Sequence, residues 1–283
     1  MEIPPVETLL VKSADGTRLA CSHQRTLAHE PTPTLVWVHG GFEHRQRYHG
    51  IMAEFSARGY VSYALDLRGH GQSGGTPVYI RHFDEYLDDL AALLNYLTDR
   101  LMGPLYVVGH SMGGLVVIRY LQERAAERQF TGAALSAPLL GVASEVPAWK
   151  RLLSKTVVGV LPRLAIDNGL QATDLSHDPE VVAAHHADPL IRRKATPAWF
   201  EEVLRQQALA LKKADKMRTP LLVMTAGEDR LADTGRTRQF LNKLDQRVNM
   251  QHAHFEGFFH ELFNESGRAE VIETLAAWLK ATR

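Results

Sequence analysis

The feature that most constrains the fold is the sequence GHSMG at residues 109–113, because of what surrounds it. The five residues before it, PLYVV, are apolar and rich in strand formers, which predicts a buried strand. After it, apolar side chains recur at spacings of three and four, which predicts a helix. A G-x-S-x-G motif between a strand and a helix is the sequence form of a nucleophile elbow. Ser111 is therefore the candidate nucleophile.

A second G-x-S-x-G match, GQSGG at residues 71–75, lacks this context. Pro77 stands four residues after its serine, Ser73, and the residues between them have the composition of a loop. Because one site uses one nucleophile, we assign that role to Ser111. We predict that Ser73 is a polar residue of a glycine-rich loop.

Strand and helix patterns alternate along most of the chain, after a hairpin predicted around Asp15-Gly16. Strands are predicted at 61–65, 105–108, 132–136, 221–225 and 248–255, and helices at 48–58, 83–101, 234–244 and 268–281. This alternation predicts an α/β fold with a mostly parallel sheet and helices on both faces. In such a sheet, reactive groups gather at the carboxyl ends of the strands.

Residues 138–216 interrupt the alternation with six prolines, a mostly helical pattern and no obvious sheet strand. We predict a core formed by residues 1–137 and 217–283, with 138–216 inserted as a helical cap, or lid, over the carboxyl edge of the sheet. Residues 148–166 within it are apolar enough to line an acyl-chain tunnel or to touch a lipid surface. The alternative that they only pack the lid's own core stays open.

A serine nucleophile needs a base, and the base needs an orienting carboxylate. His260 lies between the last predicted strand and the last predicted helix, which favours it as the general base. The acid is expected between nucleophile and base in chain order. Asp229, at the turn after strand 221–225, is favoured over Glu228 and over Asp233, which is placed to cap the next helix.

Other histidines are assigned to packing or to the surface. His252 and His254 lie on one face of a strand without a third ligand in view, so sheet packing is favoured over a metal pair. His185 and His186 are predicted to lie on the lid surface. The sequence HELFN from His260 onward lacks the second histidine of a zinc-protease motif. No metal ligand is therefore assigned.

The oxyanion of an acyl-transfer reaction needs backbone N–H donors. The donors expected are the N–H of the residue after the nucleophile, Met112, and an N–H from the loop after the strand VWV, which makes Gly41 the second candidate. His39 and His110 are expected to pack around these turns.

Several segments, taken in order, resemble the monoacylglycerol lipase and lysophospholipase group of the α/β-hydrolase fold. They are HGGFEHRQRY, DLRGHGQSGG, FDEYLDDL, GHSMGG, LSAPLL, ADPLI, GEDRLAD and FEGFFHE, and the resemblance runs from about Leu19 to Trp278. It implies an α/β-hydrolase fold with a helical lid and a triad of Ser111, Asp229 and His260. It also implies oxyanion donors at Gly41 and Met112.

The same resemblance places an acidic residue, Glu43, and a basic neighbour, Arg47, near the polar end of the substrate. It implies hydrolysis of a monoacylglycerol, a lysophospholipid or a similar single-chain acyl ester, with no cofactor. A peptidase or perhydrolase on the same triad is the first alternative, and a non-catalytic binding protein is the second. Dehalogenases and epoxide hydrolases are disfavoured because both use a carboxylate where Ser111 stands.

Composition limits the partners and the compartment. The 32 basic and 32 acidic residues balance, without a long basic run, so nothing favours a nucleic-acid partner. The chain has a single cysteine, no signal-peptide pattern and no apolar run of the roughly 20 residues that span a bilayer. We therefore expect a cytoplasmic protein that makes transient contact with a membrane surface through the lid, in an undetermined oligomeric state.

Overall fold

A computed structural model describes residues 3–28, 32–101, 103–143 and 161–283. The main sheet contains eight strands: β1 (Glu7–Lys12), β2 (Arg18–Gln24), β3 (Thr34–Val38), β4 (Val61–Leu65), β5 (Leu105–His110), β6 (Gly132–Ser136), β9 (Leu221–Ala226) and β10 (Met250–Phe255). Two short strands, β7 (Ile166–Asp167) and β8 (Lys194–Ala195), pair only with each other.

The described residues also form seven α-helices: α1 (His49–Ala57), α2 (Asp84–Leu97), α3 (Met112–Glu123), α4 (Pro179–Ala187), α5 (Pro197–Lys212), α6 (Thr234–Leu241) and α7 (Arg268–Ala281). None of these seven helices is long and apolar enough to cross a membrane.

The sheet has the strand order β1-β2-β4-β3-β5-β6-β9-β10. β1 and β2 form an antiparallel hairpin, and β2 runs antiparallel to β4, whereas every later pairing is parallel. The predicted mostly parallel sheet and its opening hairpin are therefore confirmed. The carboxyl ends of β3, β5, β6, β9 and β10 meet at one edge of the sheet, where the candidate site lies.

Two apolar layers hold this edge in place. Every residue of β3, with the sequence TLVWV, is buried, as expected for a parallel strand covered on both faces. Val36 belongs to the cluster beneath α2 and α3, and its neighbour Trp37 belongs to the cluster beneath α1 and α7. The alternation of side chains along the strand puts the two on opposite faces.

Strand boundaries differ slightly from the predictions, for local reasons. β5 continues two residues beyond 108, because Gly109 and His110 still pair with Leu135 and Ser136 of β6. β10 begins at Met250 rather than 248, because the Val248 N–H closes a turn onto the Asp245 carbonyl.

Within 138–216, two prolines mark helix starts. Asp178 caps α4 by accepting the Glu180 N–H, Thr196 caps α5 by accepting the Trp199 N–H, and a proline follows each cap. Proline suits this first position because its missing N–H would have no partner there. Of the predicted acyl-facing segment 148–166, residues 148–160 lie outside the described residues, and the boundaries of the lid remain a prediction.

Candidate active site

Ser111 lies at a sharp turn between β5 and α3, with φ 52° and ψ −118°. This backbone conformation is strained for a residue with a side chain. Small residues on either side allow it: a Cβ on Gly109 would lie 2.6 Å from the Gly113 carbonyl oxygen, and a Cβ on Gly113 would clash with the Val38 carbonyl. The two glycines of the motif are therefore required by packing.

Ser111, His260 and Asp229 are joined by hydrogen bonds. His260 Nε2 lies 2.8 Å from Ser111 Oγ, and His260 Nδ1 lies 2.9 and 3.0 Å from the two Asp229 carboxylate oxygens. The Leu231 and Ala232 N–H groups donate to Asp229 Oδ1, which fixes the carboxylate in its turn. The structure thus brings together the three residues that the sequence singled out, in the arrangement of a nucleophile, a base and an orienting acid.

Electrostatics favour a proton on His260. Burial opposes the imidazolium, but the carboxylates of Asp229, Glu261 and Glu43 outweigh it, so the pKa of His260 lies above its ordinary value. Burial raises the pKa of Asp229, but His260 outweighs this and holds it below its ordinary value. The pair is therefore arranged to stabilise the imidazolium that a proton transfer from Ser111 creates.

The residues judged structural in the sequence have structural contacts. Ser73 Oγ donates to the Asp66 carbonyl and accepts the Ala20 N–H, which ties its loop to β2. Asp233 caps α6 by accepting the Arg236 N–H at 3.1 Å.

His252 and His254 both contact the Thr225 hydroxyl, at 2.9 and 3.0 Å. Across the described ranges, no group of three or more side chains forms a metal-binding cluster.

Gly41 and Met112, the expected oxyanion donors, lie beside Ser111. Met112 opens α3, where the first N–H groups of a helix have no partner within the helix. Gly41 lies in the loop after β3 and lines the same cavity as Ser111. A Cβ on Gly41 would lie 3.8 Å from the Met112 Cβ, so the two backbones run close together.

Glu43 and Arg47 form a buried network with a residue that the sequence analysis missed, Glu261. Glu43 accepts the Gly40 N–H at 2.6 Å and the Tyr48 hydroxyl at 2.9 Å. Arg47 donates to Glu43 at 3.0 Å and to both carboxylate oxygens of Glu261 at 2.5 and 2.7 Å. Burial raises the pKa of both carboxyls, but Arg47 outweighs it, holding that of Glu43 below its ordinary value and that of Glu261 at about 2.

The prediction that His185 lies on the lid surface is wrong. His185, in the last turn of α4, is buried and lines the cavity beside Arg47 and Glu261, and its Nδ1 has no hydrogen-bond partner among the described residues. Its neighbour His186 is exposed, as predicted. This difference could not be predicted, because the sequence of α4 has no clear apolar face that would indicate which histidine points inward.

A cavity of about 690 Å³ opens onto Ser111 and His260, a volume suited to a small-molecule ligand. Most of its wall is apolar. Its larger apolar side chains are Phe42, Leu139, Val142, Ile166, Leu170, Leu175, Trp199, Phe200, Val203 and Leu231. Four of its polar residues contact or approach one another: Glu43, Arg47, His185 and Glu261. Other polar residues, among them Asp167, Asn168 and Thr196, also line the cavity.

A serine, an aspartate and a histidine, in that chain order and at the carboxyl edge of this sheet, define a serine hydrolase of the α/β-hydrolase fold. The family model described as "Serine aminopeptidase, S33" matches residues 29–267, and the chain belongs to that family.

Relatives carry lipase names. The chain is 32% identical over 255 residues to a monoacylglycerol lipase of Mycolicibacterium smegmatis, covering 88% of this chain and 89% of that protein. It is 32% identical over 252 residues to the phospholipase YtpA of Bacillus subtilis, covering 89% and 96%. The crystal structure of the Paleococcus ferrophilus monoacylglycerol lipase superposes with a TM-score of 0.83 at 25% identity, covering 94% of this chain and 99% of that one.

Proposed function

We propose that this protein hydrolyses carboxylic esters of single-chain acyl lipids, of the monoacylglycerol or lysophospholipid type. The observation that carries the proposal is the hydrogen-bonded series Ser111, His260 and Asp229, which opens onto a largely apolar cavity. The lipase and phospholipase names of the two relatives at 32% identity support the same substrate class.

The reaction follows from the geometry. His260 Nε2 accepts the Ser111 hydroxyl proton as Oγ attacks the ester carbonyl carbon, and the Gly41 and Met112 N–H groups stabilise the oxyanion. The imidazolium, paired with Asp229, then protonates the leaving alcohol. A water enters, His260 deprotonates it, and attack on the acyl-enzyme releases the fatty acid. These steps require no metal or organic cofactor.

The two parts of the cavity suggest the two ends of the substrate. The acyl chain fits the apolar wall, where each buried CH₂ contributes about 0.8 kcal/mol. The alcohol fits beside Glu43, Arg47, His185 and Glu261. Arg47 already pairs with the carboxylates of Glu43 and Glu261. A neutral head group with hydroxyls therefore suits this part of the cavity better than a cationic head group.

We also propose transient membrane contact from the cytoplasmic side. Leu161, Leu164 and Ile166 are large apolar side chains left 45–54% exposed, and Ile166 belongs to the cavity wall as well. A substrate that leaves a lipid surface near these residues would have a short path to Ser111. The balance of 32 basic and 32 acidic residues does not favour a nucleic-acid partner.

The test is a substrate panel on purified enzyme. It compares p-nitrophenyl esters of increasing chain length, monoacylglycerols, lysophospholipids and aminoacyl anilides, with the Ser111→Ala variant as the blank. We expect Ser111-dependent hydrolysis of the acyl esters that exceeds anilide cleavage. Preferential anilide cleavage would establish the peptidase alternative. In a parallel assay with added hydrogen peroxide, Ser111-dependent transfer of the acyl group to the peroxide, seen as a peracid product, would establish the perhydrolase. Binding without turnover would establish a non-catalytic protein.

A further inference from the structure

A second set of contacts holds the loop that carries His260, here called the base loop (residues 256–266). Glu265 in this loop is 3% exposed, and its carboxylate is fully engaged. Glu265 Oε1 accepts the Phe259 N–H at 2.7 Å and the His177 Nδ1–H at 2.9 Å. Its Oε2 accepts the N–H groups of His177 and Ser266, each at 3.2 Å.

The ring of Phe259 contacts two further side chains. Its ring stacks on the His177 ring with 3.6 Å between centroids, and the Arg230 guanidinium lies 4.2 Å from the ring centroid. Arg230 follows Asp229 in the chain and pairs with Asp174 at 3.0 Å. The turn that carries the acid, the base loop and the cap segment 172–177 therefore meet around one phenylalanine.

Two further hydrogen bonds, each accepted by a backbone carbonyl, join the same segments. The Glu261 N–H donates to the Leu175 carbonyl at 2.9 Å, and Ser176 Oγ donates to the Asn264 carbonyl at 2.8 Å. The residues on both sides of His260 thus have fixed backbones. Glu265 is the one member of this set that brings a buried carboxylate to the residue directly before the base.

We propose that Glu265 is a positioning residue, whose carboxylate fixes the Phe259 backbone and so holds His260 between Asp229 and Ser111. A hydrogen bond from an N–H to a carboxylate is shorter and stronger than one to a neutral acceptor. His260 follows Phe259 directly, so a shift of that backbone moves the imidazole. A misplacement of about 1 Å in a catalytic group can cost about 100-fold in rate.

The inference rests on the proposed function, and it differs from a purely structural role in what it predicts. If Glu265 only stabilised the fold, its loss would lower the melting temperature and leave the folded enzyme's kinetics unchanged. If it positions His260, its loss lowers kcat and shifts the pH profile. The groups that face His260 are Asp229, Glu261, Glu43 and the His110 ring, 4.9 Å away between centroids.

The sign of the pH shift follows from these groups. The reaction needs neutral His260, so in the parent enzyme kcat/KM falls as pH drops through a raised pKa. If His260 no longer aligns with Asp229, it loses part of the interaction with that carboxylate, which raises the His260 pKa. Burial continues to lower the His260 pKa. The acid limb of the profile should therefore move to lower pH.

The experiment measures kcat, KM and the kcat/KM profile over about pH 5 to 9, where histidines titrate. It uses a soluble butyrate ester, pH-stat titration and the full-length protein. The variants are Glu265→Ala and Glu265→Gln. The control is Glu202→Gln in α5, whose carboxylate also accepts a distant backbone N–H, that of Phe83 at 3.0 Å, but which has no contact with the base loop.

We expect Glu265→Ala to lower kcat by at least about 10-fold, well within the cost of a misplaced catalytic group, and to shift the acid limb downward. Glu265→Gln keeps one acceptor oxygen for the Phe259 N–H, so its kcat should lie between those of Glu265→Ala and the parent. If Glu265→Ala does not fold, Glu265→Gln alone tests the inference. Glu202→Gln should keep the parent profile.

The inference would be overturned if both Glu265 variants folded and had the same kcat, KM and pH profile of kcat/KM as the parent enzyme. An inactive parent enzyme would instead overturn the proposed function.

Discussion

Ser111 has a backbone conformation that costs an ordinary residue about 1–3 kcal/mol, and the surrounding packing maintains it. The turn presents the hydroxyl to His260 and also places the first N–H of α3 beside it. Ser73 has the same local motif, but its hydroxyl forms hydrogen bonds with two backbone groups. The difference between the two serines lies in what precedes and follows each motif.

We expect a fluorophosphonate probe to label Ser111 and not Ser73, because Ser111 Oγ is hydrogen-bonded to His260 whereas Ser73 Oγ is hydrogen-bonded to two backbone groups. Peptide mapping by mass spectrometry would locate the label. Ser111→Ala should abolish labelling and remove hydrolysis, on the order of 10⁶ in kcat for a triad serine. Ser73→Ala is the matched control and should be labelled like the parent. A label on Ser73 would refute the assignment of the elbow.

The two aspartates of the loop after β9 should respond differently to substitution. Asp229→Asn should leave the fold intact and lower kcat by about 10⁴, because the amide favours the wrong histidine tautomer. Asp233→Asn should cost at most about 1 kcal/mol of stability, since it changes only a helix cap. Steady-state kinetics and thermal unfolding of both variants would check this. The reverse kinetic pattern would mean that Asp233 is the acid.

The sequence was sufficient to find the three residues now joined by hydrogen bonds, because each follows a strand with a clear local pattern. It was not sufficient for Glu261 or His185. Arg47 and Glu261 are 214 positions apart, and only the folded sheet brings them together. The one weak indication in the sequence that Glu261 belongs to the site is that it directly follows His260.

At the scale of elements, the sheet positions the catalytic residues, and helices within residues 138–216 form part of the cavity wall. α5 contributes Trp199, Phe200 and Val203 to the cavity wall. Val203 is buried and belongs to the apolar part of this wall, so a substitution there tests the path of the acyl chain.

We expect Val203→Phe to shorten the acyl chain that the cavity accepts. Overfilling a packed site costs about 1–3 kcal/mol, so kcat/KM for long esters should fall by about 10-fold or more while butyrate is spared. Val203→Ala, which enlarges the cavity, is the control and should not show this selective loss. The measurement is kcat/KM against chain length, with circular dichroism to confirm folding. Equal loss at all lengths would place Val203 outside the acyl path.

Strands and helices in which apolar side chains recur regularly could be predicted from the sequence, but the residues at which they end were harder to predict. The strands 61–65 and 132–136 and the helix 268–281 have the predicted bounds, because apolar side chains define them locally. The helix predicted at 83–101 ends at Leu97, where a turn closes from the Arg100 N–H onto the Leu97 carbonyl. The β7–β8 pair was not predicted, because each strand has only two residues and is too short to show an alternation of apolar and polar side chains.

At the scale of the whole molecule, the net charge and the exposed apolar side chains bear on contact with a membrane. The formal charge is zero, so long-range attraction to an anionic membrane is weak. Apolar contact must then provide most of any membrane affinity. Leu161, Leu164 and Ile166 lie close together in the chain, and Ile166 is shared with the cavity wall, so one surface would serve both attachment and entry of the substrate.

We expect Leu161→Asp and Leu164→Asp, singly and combined, to reduce hydrolysis of long-chain monoacylglycerol in phosphatidylcholine vesicles. Burying one leucine contributes about 1.5–3 kcal/mol, so loss of a buried contact should weaken vesicle binding by about 10-fold or more. Hydrolysis of soluble butyrate should be unchanged, because neither residue belongs to the cavity wall. Leu27→Asp is the control, since Leu27 is 49% exposed and is likewise absent from the cavity wall. Vesicle co-sedimentation and turnover would be measured together. If all variants bound and acted like the parent, substrate would have to reach the cavity from solution, and the exposed leucines would have no part in delivering it.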